Sequence, residues 1–211
     1  QSIMAQDSKI VIAGGQENMS LAPHAIHLRN GKKLGDIEMT DTMIKDGLWD
    51  AFHGYHMGVT AENVAAKFQV TREDQDKFAL KSQEKAIKAQ KENKFSDEII
   101  NFKIHSKKTE TNFKVDEHPR EDITLETLKR LKSVFKKDGT VTAGNASGIN
   151  DGAAAVIIMS SEEAEKRNLQ KLVSIKSWAS CGVDPALMGT GPIPASKKAL
   201  DLAGWSIKDV D

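Results

Sequence analysis

Short apolar runs alternate along the chain with longer, more polar stretches, a pattern that predicts strands alternating with helices. The runs KIVIA at residues 9–13 and AAAVIIM at 153–159 have the length of a strand, and each adjoins glycine. Residues 99–104 and 173–180 alternate apolar with polar side chains, as a half-buried strand does. Residues 1–7 are interpreted as the tail of a helix. The interleaved strand and helix signals predict the α/β class.

The helix signals are amphipathic stretches with recognisable ends. Thr71 and Asp74 have the spacing of a capping box, which predicts a helix from there to about residue 92. Gly204 stands where a helix commonly ends in a left-handed residue. The other predicted helices are 60–67, 124–133, 161–167 with Ser161 as its cap, and 194–203.

Residues 16–60 show little periodicity and contain many turn-forming residues. A stretch of this length without a periodic pattern is either functional or disordered. Trp49, Phe52 and Tyr55 argue against disorder, because disordered segments are poor in aromatic side chains. We therefore expect an ordered region that has a function.

Charge is balanced over the whole chain but unevenly distributed along it. Thirty basic and thirty acidic residues cancel, so the chain as a whole carries no signal for nucleic-acid binding. Residues 85–137 are nevertheless rich in lysine. Two interpretations remain: the solvated face of helices and turns, which is favoured, or a basic rim that attracts a phosphorylated ligand.

The chain has one cysteine, Cys181. An internal disulfide is therefore impossible, and a reducing compartment, the cytoplasm, is expected. Residues 1–7 do not resemble a signal peptide, and no stretch is long and apolar enough for a membrane span. Cys181 is a candidate nucleophile, but no histidine lies near it in sequence, so an inert, buried side chain is the favoured interpretation.

Three glycine-containing segments are candidates for ligand contact. The segment IAGG at 12–15 lacks the G-x-G-x-x-G spacing, so a tight turn is favoured over a phosphate-binding loop. Residues 142–152 form either a structural turn or a binding loop in which Ser147 and the asparagines hydrogen-bond a ligand. Residues 188–194 form either a structural loop or an anion site at the start of a helix.

Two histidine pairs have a spacing that metal ligands can use on a helix. His24 and His27 are three residues apart, as are His53 and His56. Cysteine or carboxylate partners at metal-site spacing do not accompany them. We therefore expect no metal cofactor.

Five segments, taken together and in order, resemble the thiolase family. The resemblance covers the whole chain and is closest to the biosynthetic branch, the acetoacetyl-CoA thiolases. The segments are AGGQENMS at 13–20 followed by Ala22-Pro23, HMGVTAEN at 56–63, TREDQD at 71–76, TAGNASGINDGAAA at 142–155, and MGTGPIPA at 188–195.

The resemblance implies a layered αβαβα fold and a homotetramer. In that fold two similar halves each contribute a sheet, and a loop domain is inserted into the first half. The implied division gives 1–20 to the first half, 21–151 to the loop domain, 152–172 to the end of the first half, and 173–211 to the start of the second half.

The resemblance also implies an acyltransferase. Family members condense two acetyl-CoA molecules reversibly to acetoacetyl-CoA and CoA through an acetyl-cysteine intermediate, with CoA as substrate and product and no other cofactor. The alternatives are a 3-ketoacyl-CoA thiolase of fatty-acid degradation, a non-catalytic CoA-binding remnant, and a lipid-transfer relative of the family.

The chain departs from the family pattern at its reactive residues. The family's nucleophilic cysteine and its Asn-Glu-Ala-Phe, Gly-His-Pro and Cys-Gly-Gly-Gly motifs do not occur in it. Cys181 falls at a position that the family does not use for catalysis. We therefore expect an internal fragment that lacks both catalytic ends, is inactive by itself, and is poorly soluble.

By motif position the chain still carries much of the CoA pocket. The resemblance implies that Leu48, His56 and Met57 line the pantetheine and acyl end of the ligand. It implies that Met188 closes the acyl pocket.

The remaining implied ligand contacts lie in residues 120–147. The resemblance implies that Ser147 hydrogen-bonds the pantetheine and that Ala143 and Phe135 pack beside it. Arg120 is expected near the adenine and phosphate end, where a guanidinium can both stack and supply charge.

Overall fold

The computed structural model describes residues 1–105 and 110–211. These residues divide into two compact units. The first unit comprises Gln1–Tyr55 and Ile149–Asp211, and the second unit is His56–Gly148.

Strands and helices are interspersed along the described residues. The strands are β1 (Ile10–Asn18), β2 (His24–Ala25), β3 (Thr40–Asp41), β4 (Trp49–Asp50), β5 (Tyr55–His56), β6 (Phe102–His105), β7 (Glu110–Phe113) and β8 (Asp151–Met159). The α-helices are α1 (Met57–Phe68), α2 (Arg72–Lys91), α3 (Leu125–Lys129), α4 (Ser161–Lys166) and α5 (Pro192–Ala203). A π-helical turn at Met43–Gly47 and 3₁₀ turns at Met19–Leu21, Pro185–Thr190 and Ile207–Asp209 complete the order.

The sheets have two strands each, in the pairs β1–β8, β2–β3, β4–β5 and β6–β7. The long pair is antiparallel, with Ile10 opposite Met159 and Asn18 opposite Asp151. The apolar runs at 9–13 and 153–159 are therefore confirmed as strands. Asp151 also accepts hydrogen bonds from the hydroxyl and the amide of Ser20, which closes the end of this pair.

The tight turn expected at the glycines after residue 13 is wrong, because Gly14 and Gly15 lie inside β1. They face Ala155 and Ala154 on β8. A Cβ on Gly14 would lie 2.7 Å from the carbonyl oxygen of Ala154, whereas one on Gly15 would meet nothing within 4 Å. Gly14 thus serves a close backbone approach between two strands and not a reversal of the chain.

Three other predictions about strands and helices differ from the structure. Residues 173–180 form no strand, because nothing among the described residues hydrogen-bonds to them as a neighbouring strand. The strand predicted at 99–104 begins only at Phe102. Residues 1–7 form turns with a single helix-like bond, from the amide of Ala5 to the carbonyl of Gln1, and not a helix tail.

The capping-box prediction for α2 is confirmed. The Thr71 hydroxyl accepts from the amide of Asp74 at 3.1 Å, and the Asp74 carboxylate accepts from the amide of Thr71 at 3.2 Å. Gly204, with φ of 70°, ends α5 as expected. The cap of α4 is Ser160 and not Ser161.

Helix α3 is shorter than the predicted 124–133. Thr124 caps it, but the helix ends at Lys129. Ser133 instead forms an isolated β-bridge with Thr142, and the amide of Val134 donates to the carbonyl of Val141. Pairing with the segment that follows, up to nine residues on, therefore overrides the helical pattern.

The second unit has a small core in which polar side chains take part. Its buried apolar residues include Ala65 and Leu128. Buried beside them are the polar side chains of Thr60, Glu62, Asp76 and Thr142. A core of this composition depends on hydrogen bonds as well as on apolar contact.

The first unit exposes more apolar surface. Ile12 and Ile157 face each other across the β1–β8 ladder and are 76% and 67% exposed. Cys181 is also exposed, so the expectation of a buried cysteine is wrong. No helix within 1–105 or 110–211 has the length and apolar character that a bilayer span requires.

The two adjacent glycines of β1 make a matched pair for testing this packing. Gly14→Ala is expected to lower the free energy of unfolding by about 1–3 kcal/mol, because its methyl group would collide with a backbone carbonyl. Gly15→Ala is expected to cost less than Gly14→Ala, since its methyl group would meet no atom of this chain within 4 Å. Urea denaturation of the full-length protein containing this chain measures both; equal losses would contradict the β1–β8 register.

The cap of α2 predicts a pH-dependent contribution to stability. Hydrogen bonds from the Thr71 hydroxyl, and then from its amide, lower the pKa of the Asp74 carboxyl. A carboxyl whose pKa is lowered by folding stabilises the folded state above its unfolded pKa, and that contribution disappears as pH falls through the folded pKa. Asp74→Asn is therefore expected to destabilise at pH 7 and to approach the parent in acid, as urea midpoints between pH 7 and 3 would show.

Two variants of Thr71 serve as controls for this cap. Thr71→Ala is expected to cost about 1 kcal/mol at neutral pH, whereas Thr71→Ser keeps the hydroxyl and should cost much less. A difference between Asp74→Asn and the parent that does not change with pH would rule out the ionised cap.

Candidate functional site

The most specific contact in the second unit is a stack of His56 on Phe135. The ring centroids lie 4.5 Å apart and the planes differ by 21°. His56 is also the N-cap of α1, where its Nδ1 accepts from the amide of Gly58 at 2.9 Å. Because Nδ1 is an acceptor, the neutral ring carries its proton on Nε2, which remains available as a donor.

Gly58 makes room for this stack. A Cβ at this position would lie 2.1 Å from Cγ of Phe135. Phe135 therefore packs directly on the first turn of α1, beside half-buried Met57. In the sequence HMG at 56–58, the histidine thus caps the helix, the methionine supplies an apolar side chain, and the glycine leaves space that the ring of Phe135 fills.

A buried acid on α1 holds the next part of the site. Oε1 of Glu62 accepts from the amides of Thr140 and Val141 at 2.7 and 2.8 Å. Oε2 accepts from the Thr140 hydroxyl at 2.9 Å. Glu62 is only 5% exposed, so its charge is stabilised mainly by these donors.

A second buried acid lies on α2. Oδ2 of Asp76 accepts from Nε of Arg72 at 2.8 Å, and Oδ1 accepts from Nδ2 of Asn145 at 3.0 Å. The same arginine donates to the carbonyls of Leu128 and Leu131 at 2.6 and 3.0 Å. Arg72 and Asp76 thus join α2, the end of α3 and the segment around Asn145.

Two of the predicted ligand residues lie on or next to this segment. Ala143 follows Thr142, which forms the β-bridge with Ser133, and Ala143 is exposed. Ser147 is exposed two residues after Asn145. Phe135 lies two residues after the other half of the same bridge. The bridge therefore connects the strand-like segments that carry Phe135 and Ala143.

A surface cavity of about 490 Å³ lies beside Phe135 and is lined by residues 132–138. Lys132, Lys136 and Lys137 contribute to its lining. An apolar ring within a cluster of ammonium groups suits a ligand that has both an apolar part and negative charge.

The lysines of α2 have a different role. Lys77 pairs with Glu73 at 2.9 Å, and Lys91 pairs with Glu121 at 3.2 Å. These groups are exposed, so the pairs describe a solvated face. Within the lysine-rich stretch 85–137, Lys91 therefore fits the solvated-face interpretation, and the basic rim stays a prediction.

For the other predicted ligand residues the structure gives their exposure and few contacts. Arg120 is exposed, and its amide donates to Oε1 of Gln83 on α2 at 3.0 Å. Leu48 and Met188 belong to the first unit, where Leu48 is half-buried and Met188 is 42% exposed. That Leu48, Met188 and Arg120 contact one ligand with the residues of the second unit stays a prediction.

The histidine pair at 53 and 56 divides into two separate roles. Nδ1 of His53 lies 2.7 Å from Oδ2 of buried Asp50. Burial raises the pKa of Asp50, but hydrogen bonds from His53 and from the amide of Phe52 outweigh it and lower that pKa overall. Among the described residues no group of three metal-ligating side chains comes together.

Sequence reasoning missed Glu62 and Asp76 as parts of the site. The i, i+4 spacing of Arg72 and Asp76 is a visible signal for an ion pair on a helix. For Glu62 no local signal exists, because its donors lie 78 and 79 residues later in the chain.

Comparison with protein-family models identifies the class of protein. The model of the thiolase N-terminal domain matches residues 1–162, and that of the thiolase C-terminal domain matches residues 169–211. The chain therefore belongs to the thiolase family, and the expected α/β thiolase-like fold is confirmed by solved structures that superpose on the whole chain.

Individual relatives carry more specific names. The chain is 58% identical over 211 residues to acetyl-CoA acetyltransferase of Rhizobium meliloti (strain 1021), covering 100% of this chain and 54% of the relative. It is 54% identical over 213 residues to the cytosolic acetyl-CoA acetyltransferase of Rattus norvegicus, again covering 100% and 54%. The chain thus spans about half the length of the curated relatives it matches.

Two solved structures with different names superpose on the chain. The acetyl-CoA acetyltransferase of Bacillus anthracis superposes with a TM-score of 0.96 at 44% identity, covering 100% of this chain and 53% of that one. Human mitochondrial 3-ketoacyl-CoA thiolase in complex with CoA superposes with a TM-score of 0.92 at 44% identity, covering 100% and 52%.

The packing of Phe135 against Gly58 can be tested with a double-mutant cycle. Gly58→Ala is expected to destabilise by about 1–3 kcal/mol, because its methyl group would occupy the position of the ring. In a Phe135→Ala background the same change should cost much less, since the obstructing ring is gone. Urea denaturation of the four proteins measures the coupling; additive effects would contradict the contact.

Proposed function

We propose that the protein containing this chain is an acetyl-CoA C-acetyltransferase of the biosynthetic thiolase branch. It condenses two acetyl-CoA molecules reversibly to acetoacetyl-CoA and CoA. The observation that carries this proposal is the match over 100% of the chain, at 58% and 54% identity, to relatives named acetyl-CoA acetyltransferase. The proposed cellular location is the cytoplasm, as in the name of the rat relative.

The proposed chemistry has two half-reactions. A cysteine thiolate attacks the carbonyl carbon of one acetyl-CoA, forming an acetyl-cysteine and releasing CoA as thiolate. A base removes an α-proton from the second acetyl-CoA, and the carbanion attacks the acetyl-cysteine, which returns the cysteine thiolate. We place the cysteines and the histidine of these steps outside this chain.

The role proposed for the present chain is to bind CoA. His56, Met57, Phe135, Ala143 and Ser147 form the pantetheine part of the site. The stack of His56 on Phe135 and the fixed segment that carries Ala143 support this role. On the family resemblance alone, Leu48 and Met188 are proposed to contact the acyl end of a CoA ligand, and Arg120 its adenine end.

The lysine-lined cavity supports the phosphate end of the same proposal. CoA carries several phosphate charges, and the cavity beside Phe135 is lined by three lysines, Lys132, Lys136 and Lys137, against one acid, Asp138. Attraction of this kind raises the rate of association and weakens with salt. No metal or prosthetic group takes part in the proposed reaction.

The proposed assembly is a homotetramer in which residues 21–151 form the loop domain. Residues 1–20 and 152–172 belong to the first thiolase half, and 173–211 open the second. The exposed apolar pair Ile12 and Ile157 on β1 and β8 supports further packing against this sheet.

A second candidate is a 3-ketoacyl-CoA thiolase of fatty-acid degradation. It requires separate testing because human mitochondrial 3-ketoacyl-CoA thiolase and the Bacillus anthracis acetyltransferase are both 44% identical to the chain. The two functions differ in the length of acyl chain that the site accepts. A third candidate, a non-catalytic CoA-binding remnant, predicts binding without turnover.

The full-length protein is expected to cleave acetoacetyl-CoA with CoA at least about tenfold more efficiently, in kcat/KM, than 3-ketooctanoyl-CoA. The loss of 3-ketoacyl-CoA absorbance measures both rates. Equal efficiencies would favour the degradative branch, and CoA binding without turnover would favour the remnant. The 211-residue chain alone is expected to give no turnover, because the family's reactive motifs do not occur in it.

A further inference from the structure

Two buried carboxylates that the proposed chemistry does not use converge on the segment of residues 139–147. We propose that Glu62 and Asp76 are positioning residues for CoA. They hold the segment that carries Ala143 and Ser147 in its ligand-binding conformation without touching the ligand. This inference rests on the proposed function, in which CoA binds along that segment.

Glu62 fixes the first part of the segment through its backbone. Its carboxylate accepts from two consecutive amides, of Thr140 and Val141, and from the Thr140 hydroxyl. A Cβ on Gly139 would lie 2.4 Å from Oε1, so the backbone there passes directly over the acid. Two amides that share one acceptor cannot rotate independently, and this defines the direction of the chain as it approaches Ala143.

Asp76 fixes the second part through Asn145. Nδ2 of Asn145 donates to Asp76 and, at 3.1 Å, to the carbonyl of Thr140. Oδ1 of Asn145 accepts from the amide of Thr142 at 2.8 Å. Asp76 is 1% exposed and is itself oriented by Arg72, so the amide group of Asn145 has one satisfied orientation.

The two acids therefore bracket Ala143. Glu62 holds the chain two and three residues before it, and Asp76 holds the chain two residues after it. Ser147 lies a further two residues on. Since both acids are buried, any effect they have on a ligand acts through the segment.

The position of the segment also bears on Phe135. The carbonyl of Val141 accepts from the amide of Val134, and Thr142 bridges to Ser133. A displacement of the segment would consequently reach the chain immediately before the ring that stacks on His56. The two carboxylates thus influence both proposed parts of the pantetheine site, the segment that carries Ala143 and Ser147 and the ring of Phe135.

The test compares Glu62→Ala with Glu62→Gln in the full-length protein. The alanine leaves two buried amides without an acceptor, so the segment is expected to open. KM for CoA in thiolysis should rise about tenfold with kcat within about threefold, which is the signature of lost ground-state binding. Glutamine keeps one acceptor oxygen for both amides, and its KM should stay within about threefold of the parent.

A donor–acceptor exchange tests Asp76. Asp76→Asn puts an NH₂ donor opposite either Nε of Arg72 or Nδ2 of Asn145, so one of these two hydrogen bonds is lost, and KM should again rise about tenfold. Asn145→Asp is the partner test, because its carboxylate would face the carboxylate of Asp76 and the carbonyl of Thr140, which both now accept from Nδ2 of Asn145; KM should rise about tenfold here too. The double variant should stay within about threefold of the single variants, because both changes remove the same link; additive losses would contradict it.

The matched control is Ala65→Gly, one turn after Glu62 on the same helix. Glycine destabilises α1 without removing a hydrogen bond to the segment. Its unfolding midpoint should fall while KM for CoA stays unchanged. Hydrogen exchange of residues 139–147 should accelerate in Glu62→Ala and Asp76→Asn and not in Ala65→Gly.

The outcomes separate this inference from the proposed function. If the parent cleaves acetoacetyl-CoA but KM follows stability alone in all variants, the carboxylates are structural and the inference is wrong. If the parent binds CoA without turnover, the dissociation constant for CoA replaces KM and decides the inference by the same comparison. A parent that neither turns over nor binds CoA overturns both.

Discussion

A buried carboxylate is tolerated in a protein only where hydrogen-bond donors surround it, and Glu62 satisfies this condition with backbone amides. The condition constrains the chain at a distance, because those amides belong to residues 140 and 141. The β-bridge between Ser133 and Thr142 then places the chain before Phe135 beside the chain before Ala143. The second unit has few fully buried apolar side chains, so the backbone hydrogen bonds to this acid are an important part of what fixes its arrangement.

In the same unit an irregular segment has a defined conformation. Residues 139–147 contain no helix and no long strand, yet Glu62, Asp76 and Asn145 satisfy their polar groups one by one. Side-chain hydrogen bonds replace the ladder that regular structure would supply. A loop held in this way can present a methyl group and a hydroxyl to a ligand at defined positions, as the proposed CoA site requires.

Charge in the second unit is divided between two functions. Acids of α2 and of the segment before α3 pair with lysines such as Lys77 and Lys91 on an exposed face, where such pairs contribute little to stability. Lys132, Lys136 and Lys137 instead line the cavity beside Phe135. A positive cluster next to an aromatic ring is the feature that an apolar ligand with phosphate groups would recognise.

Local signals in the sequence determined several features correctly. The capping box of Thr71 and Asp74 starts α2, and Gly204 ends α5. The resemblance of ordered motifs to thiolases identified the family and the α/β fold. The predictions of helix ends succeed because the residues involved lie within one turn of each other. The prediction of the family succeeds because a whole pattern of short segments is compared at once.

The tertiary structure alone decided the rest. Gly14 lies in a strand because β8 provides a partner, and 173–180 is not a strand because no described segment pairs with it. The hydrogen bond from Thr140 to Glu62 joins residues 78 apart, and no local pattern in the sequence indicates it. The sequence by itself thus determined where several helices begin or end and to which family the chain belongs. Contacts between residues far apart in the chain decided which strands pair and how the proposed binding segment is held.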